Sequence, residues 1–284
     1  MSPRLRPRSR PKPKARRRLT VRLNKLLAER GIAARRKCDV LIKTGEVRVD
    51  GEVVREPGTQ VDPARQRVTV SGHALAGERP DAYYALHKPV GVLTTMLDPG
   101  GRPTVKSYLP EGGPRLFPVG RLDGDTSGLL LLTSDGDLAH RLMHPRYEIP
   151  KTYHLTLAEP PSARTLAQLG MGVEFAPGEK SRPARVEVIA RRRVALTIAE
   201  GRNRQVRRMC AALGLDLVAL ERVSVGPITL GDLPAGALRP LTRQEVRALR
   251  NAVAGGPAAR PARPGRVTAG SRRRPGRGNV PRRP

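Results

Sequence analysis

Only two cysteines, Cys38 and Cys210, occur in 284 residues. That is too few for a disulfide scaffold or a cysteine metal cluster. A reducing compartment fits this usage, so a cytoplasmic location is expected. Aromatic residues are as scarce: five tyrosines, two phenylalanines and no tryptophan. No run of about 18 apolar residues exists, which excludes a membrane-spanning helix. No apolar segment follows the basic start, which argues against a Sec-type signal peptide. The prolines of RPRSRPKPK are too many for the amphipathic helix of a transit peptide. Walker-A, G-x-G-x-x-G and HExxH sequences are all missing, so neither a nucleotide cofactor nor a metal is expected. Acidic residues are outnumbered, 25 against 54 lysines and arginines.

That imbalance is the first positive signal. The net charge is +29, and residues 1–18 and 251–284 hold nine basic residues each with no acidic one. The rest of the excess is spread over the chain between them. A chain this basic selects a polyanionic partner, most often nucleic acid. Both tails are Arg- and Pro-rich, the second also Gly-rich, and both are too poor in apolar surface to offset chain entropy, so 1–18 and 251–284 are expected to be disordered. Between them the sequence divides into a small unit, 19–73, a linker, 74–80, and a larger unit, 81–250.

The small unit reads as two helices followed by strands. Leu23, Leu26 and Leu27 recur at helical spacing and Gly31 stops the helix. A second helix is expected over 34–43, with Val40 and Leu41 inward and Gly45 ending it. EVRVDGEVV predicts a hairpin turning at Asp50-Gly51, and RVTV adds a strand. Arg22, Lys25, Arg30, Arg35, Arg36 and Lys37 crowd the helix pair, where guanidinium groups can meet phosphates.

The larger unit opens with DAYYALHKPVGVLTT, read as a strand, a turn and a second strand. LLLLT at 129–133 predicts a buried strand, and Ser134 or Asp135 can cap the helix after it. Just before that strand lies a glycine-rich loop, GRLDGDTSG, with Asp123 and Asp125 two residues apart beside Arg121. Such a loop lets a substrate approach the backbone closely. Its local features do not choose between the two carboxylates. EGRNRQVRRM places Arg202, Arg204, Arg207 and Arg208 at a loop-to-helix junction. An arginine there either grips an RNA phosphate or holds a carboxylate ionised. Tyr153, in KTYHL, is placed to stack on an unpaired base. His140 and His144 are four apart without further ligands, so they make no metal site.

These stretches resemble a known family. RLNKLLAERGIAARRKCDVLIKTGEVRVDGEVV is similar to the alpha-L RNA-binding motif, with Asn24, Ala34 and Asp50 as departures. GRLDGDTSGLLLLTSDGDLAHRLMHP, KTY and EGRNRQVRRM resemble the RsuA/RluB family of pseudouridine synthases, and HKPVGVLTT, GRPTV and LERVSVGPITLGDL extend the match. His87, Gly124, Ser127 and Ser134 depart from the family pattern. The resemblance implies an α+β fold: a small RNA-binding domain, then a catalytic domain with a mainly antiparallel mixed sheet flanked by helices. It implies an isomerase, an intramolecular transferase turning a ribosomal RNA uridine into pseudouridine, in 23S RNA by preference and in 16S RNA as the close rival. It assigns catalysis to Asp123 rather than Asp125, with Tyr153 on the target base and Arg207, or else Arg204, paired with the aspartate. Arg121 is similar to a residue that holds the flipped nucleotide, and Leu220 to an apolar wall. Arg22, Lys25, Arg35, Arg36, Lys37, Arg202 and Arg208 are expected to contact RNA. A monomer working on ribosomal RNA or a subunit precursor, without cofactor or membrane, completes the expectation. The alternative is a non-catalytic ribosome-assembly factor that keeps the fold as an RNA clamp.

Overall fold

The computed structural model describes residues 20–77 and 80–254. The tail segments 1–18 and 255–284 lie outside the described residues, as do residues 78 and 79 of the expected linker.

The small unit begins with β1 (Val21–Arg22), α1 (Leu23–Glu29) and α2 (Arg35–Thr44). Then come β2 (Val47–Val49), β3 (Glu52–Val53), β4 (Gln60–Val61), β5 (Val68–Val70) and β6 (His73–Ala74). Leu23, Leu26 and Leu27 of α1 pack on Cys38 and Ile42 of α2 and on the valines of the sheet. No side chain caps α1; instead the Leu23 N–H donates to the Thr59 carbonyl at 2.8 Å. Gly45 ends α2 in the left-handed region at φ 83°. The hairpin turns at Asp50-Gly51, both with positive φ (53° and 92°), as a two-residue loop between twisted strands requires.

Two sequence expectations change here. Val40 is 57% exposed, because the inward stripe of α2 is Cys38 and Ile42, one helical turn apart. Ala74 pairs with Thr69, and Leu75 packs on the small core, so the unit continues into the stretch expected as linker.

The larger unit carries β7 (Tyr83–Lys88), a 3₁₀ turn at Val105–Tyr108, β8 (Phe117–Pro118), β9 (Ser127–Thr133) and α3 (Gly136–Met143). After a second 3₁₀ turn, Pro145–Tyr147, come β10 (Lys151–Leu157), α4 (Ala163–Met171), β11 (Glu174–Ala176) and β12 (Glu179–Lys180). The chain continues through β13 (Arg185–Ala190), β14 (Arg193–Ile198), α5 (Gln205–Ala212) and β15 (Leu217–Val225). It closes with β16 (Ile228–Thr229), β17 (Leu238–Pro240) and α6 (Arg243–Ala254). The main sheet runs β13-β14-β10-β15-β9-β7-β17. Only the β15–β9 pair is parallel, so the sheet is mixed and mainly antiparallel, an α+β arrangement.

The leucine run has a direct cause. β9 is covered on both faces: Leu130 and Leu132 enter one core with Tyr153, Leu155 and Leu196, while Leu129 and Leu131 enter another with Leu138, Leu142 and Leu249. Asp135 caps α3, accepting from the Leu138 N–H at 2.9 Å. The strand expected after the Lys-Pro-x-Gly turn is reduced to one bridge, Leu93 with Thr104. The helix α6 runs on to Ala254 with Val253 buried, so residues 251–254 belong to the folded unit and not to the tail.

Candidate active site

The glycine-rich loop joins β8 to β9 and is tied down from below. The Leu122 N–H donates to Thr94 Oγ1 at 3.1 Å, and that hydroxyl donates back to the Leu122 carbonyl at 2.6 Å. The Gly91 N–H holds the Gly124 carbonyl at 2.7 Å. Leu122 is buried as the anchor, so Arg121 and Asp123 on either side of it project outward. Both border a cleft of about 860 Å³, together with Tyr153, Leu220, Arg204 and Arg207.

The arginines come from the start of α5. Arg204 is its N-cap residue at φ 46°, a left-handed conformation that turns its side chain back over the loop. Arg204 Nη1 lies 3.7 Å from Asp123 Oδ2, and its Nη2 donates to Asp125 Oδ2 at 2.9 Å. Arg207 goes to Asp125 instead, with Nε 3.2 Å from Oδ2 and Nη2 donating to the Asp125 carbonyl at 2.6 Å. Of the two arginines expected beside Asp123, the guanidinium next to it is that of Arg204, the second choice, while the preferred Arg207 lies against Asp125. The reason is the turn at Arg204, which brings Arg204 over both carboxylates and places Arg207 beneath the second. Burial would raise the Asp125 pKa, but the Arg204 hydrogen bond and the Arg207 and Arg204 charges outweigh it and hold it below the usual carboxylate range.

Not every expected contact residue gathers here. Arg202 borders the cleft and lies over the Phe175 ring. Arg208 turns away, to Glu179 at 3.2 Å and to the face of Phe175. In the small unit, Arg22, Arg35, Arg36 and Lys37 are exposed. Lys25 is not free for a phosphate, since its Nζ is 2.6 Å from Asp137 at the start of α3.

Three cations near the site were not foreseen. Lys88 is fully buried and donates to the carbonyls of Pro89 and Val92, both at 2.8 Å. Burial pushes its pKa down to about 8 against the opposing pull of Asp125 and Asp123. Lys151 borders the cleft, donates to the Ile149 carbonyl at 3.1 Å, and is also pushed down to about 8, by burial first and by Arg222 second. Arg222 is 2% exposed; its Nε donates to the Leu129 carbonyl at 2.8 Å, and its buried Nη2 has no hydrogen-bond partner among the described residues. The available signal was strand parity: Lys151 shares a face with Tyr153 and Leu155, and Arg222 shares one with Leu220. Among the described residues no three His, Cys, Asp or Glu side chains converge as a metal site.

Comparison with known proteins agrees with this architecture. Residues 82–212 match the family model described as RNA pseudouridylate synthase, and residues 21–66 match the S4 domain. The chain is 44% identical over 235 residues to an uncharacterised RNA pseudouridine synthase of Mycobacterium leprae, covering 81% of this chain and 92% of that one. It is 42% identical to the ribosomal large subunit pseudouridine synthase B of Bacillus subtilis, covering 81% and 95%. It is 40% identical to the ribosomal small subunit pseudouridine synthase A of Escherichia coli, covering 80% and 98%. A solved pseudouridylate synthase superposes with a TM-score of 0.60 at 34% identity, over 81% of this chain and 99% of that one.

Proposed function

Since the chain belongs to the RNA pseudouridylate synthase family and carries an S4 domain ahead of the enzyme fold, we propose that it isomerises one uridine of ribosomal RNA, with Asp123 as the reacting carboxylate. The observation that carries this reading is the contrast between the two loop carboxylates. Asp125 is held by two guanidiniums, whereas Asp123 borders the cleft opposite Tyr153 with one long contact to Arg204.

The reaction breaks the N1–C1′ bond of uridine and makes a C5–C1′ bond; the C5 proton leaves and N1 gains one. Product and substrate have the same composition, so no oxidant or group donor is consumed. The target base must leave its stack to enter the cleft, at a cost of a few kcal/mol. Phosphate contacts by the exposed Arg22, Arg35, Arg36 and Lys37, and by Arg121 and Arg202 at the cleft, offset part of that cost. Tyr153 forms the wall on which the flipped base stacks, and Leu220 closes the apolar side. Arg204, 3.7 Å away, places the Asp123 carboxylate.

Ribosomal RNA as the substrate class follows the names of the large- and small-subunit enzymes among the relatives. Between the two, the basic tails favour 23S RNA. The test is tritium release from 5-tritiated, unmodified 23S RNA, 16S RNA and immature subunits. Wild type should release tritium from one of them and Asp123→Asn from none. Tight binding by wild type with no release from any substrate would leave an assembly factor instead.

A further inference from the structure

The floor of the cleft is built from two neighbouring strands whose alternation is readable. On β10, Lys151 and Tyr153 stand on one face, and Leu155 continues that face into the core. On β15, Leu220 and Arg222 do the same, and Tyr153 pairs directly with Arg222 across the sheet. Lys151, Tyr153, Leu220 and Arg222 therefore meet under the cleft that Asp123 overhangs. The two cations of this floor have no carboxylate partner among the described residues. Lys151 has one carbonyl acceptor, and Arg222 leaves Nη2 unused although the atom is sealed from water. Asp123 and Asp125 are engaged above by Arg204 and Arg207. Half-buried Lys151 and buried Arg222 both border the cleft, and an anion arriving with the substrate would supply the counter-charge that no carboxylate gives them among the described residues.

Resting on the isomerase reading, we propose that Lys151, with the buried Arg222 charge behind it, holds a carbonyl oxygen of the uracil ring when the base parts from the ribose as an anion. Whichever atom the Asp123 carboxylate meets first, the electron pair of the N1–C1′ bond goes to the base. Its charge then spreads over N1 and the two carbonyl oxygens. When C5 bonds to C1′, that charge is withdrawn, the C5 proton leaves and N1 is protonated. A cation placed at a ring oxygen acts most strongly at the stage when the charge is present. Burial first, and Arg222 second, lower the Lys151 pKa. The alternative anion is a phosphate of the target nucleotide, which carries its charge throughout.

The two anions separate in one experiment. Single-turnover tritium release and filter binding are measured on the same unmodified ribosomal RNA for wild type, Lys151→Met, Lys151→Arg and Arg222→Lys, each first checked for an unchanged melting curve. Support is a fall of about 100-fold in rate for Lys151→Met with Kd unchanged, restored in large part by Lys151→Arg. Arg222→Lys, which keeps a charge but displaces it from behind Lys151, should also slow turnover without weakening binding. An unchanged rate in Lys151→Met would overturn the proposal. So would a weaker Kd with the saturated rate intact, which assigns the pair to a phosphate. Absence of tritium release by wild type would instead remove the isomerase reading beneath it.

Discussion

Asp123 and Asp125 have the same chemistry and sit two residues apart, yet their surroundings assign them different work. Asp125 accepts from Arg204 and lies against Arg207, which also holds its backbone carbonyl. It anchors the loop to α5. Asp123 borders the cleft and has one longer contact, to Arg204. Spacing alone left this choice open, because both residues suit a turn; family resemblance chose Asp123. A pH dependence belongs at this scale too. Lys151 is pushed down to about 8 by burial and by Arg222 on β15, while β14 brings the neutral Ile198 opposite it. A lysine is charged below its pKa and loses that charge as pH rises through it. If the cation is required, kcat/KM for tritium release falls above about pH 8, since that parameter reports the free enzyme. Lys88 is depressed to the same value, so Lys151→Arg assigns the limb by carrying the plateau to higher pH. A profile that ignores this substitution would separate Lys151 from the chemistry.

At the scale of elements, the pairing of β9 with β15 decides where the site forms. The strands run parallel, with Arg222 opposite Gly128. Gly128 has φ 108°, and a Cβ there would lie 2.3 Å from the Arg222 carbonyl oxygen and 2.5 Å from its nitrogen. No other residue fits without parting the strands. Gly128→Ala should destabilise the fold by about 3 kcal/mol or more, combining backbone strain with overpacking. Thermal unfolding followed by circular dichroism checks this, and an unaltered Tm would show that the close approach is dispensable. The sequence marked this strand by its apolar run, and the caps and hairpin by their turn chemistry. It misled at Val40 and after the Lys-Pro-x-Gly turn. Apolar character there reflects neighbours that a local window does not contain: α2 has room for one inward stripe, and the Gly91 N–H and the Thr94 side chain are spent tying down the aspartate loop.

Across the whole molecule, the S4 domain meets the enzyme unit at the start of α3, where Lys25 reaches Asp137. That pair is partly solvent-exposed, so it contributes little stability. Eighteen of the chain's +29 charges lie in the basic tails. Deleting residues 1–18 and 255–284 spares α6, which ends at Ala254. If the tails reach RNA, the truncated protein should bind more weakly and with a flatter salt dependence. The slope of log K against log salt should fall by about 0.7 for each single-strand phosphate that the tails neutralise in the full chain. Filter binding across a salt series measures it, and an unchanged slope would leave the tails without a role in RNA binding. The sequence by itself determined the order of the two units, the basic character, the buried strand and the loop that bears the aspartates, because each rests on local periodicity or turn chemistry. Only the tertiary structure decided which arginine reaches which aspartate and that Lys151 and Arg222 meet beneath them. Periodicity states which face of a strand a side chain takes. What stands opposite depends on register between segments far apart in the chain, and that register is settled by packing the whole core at once.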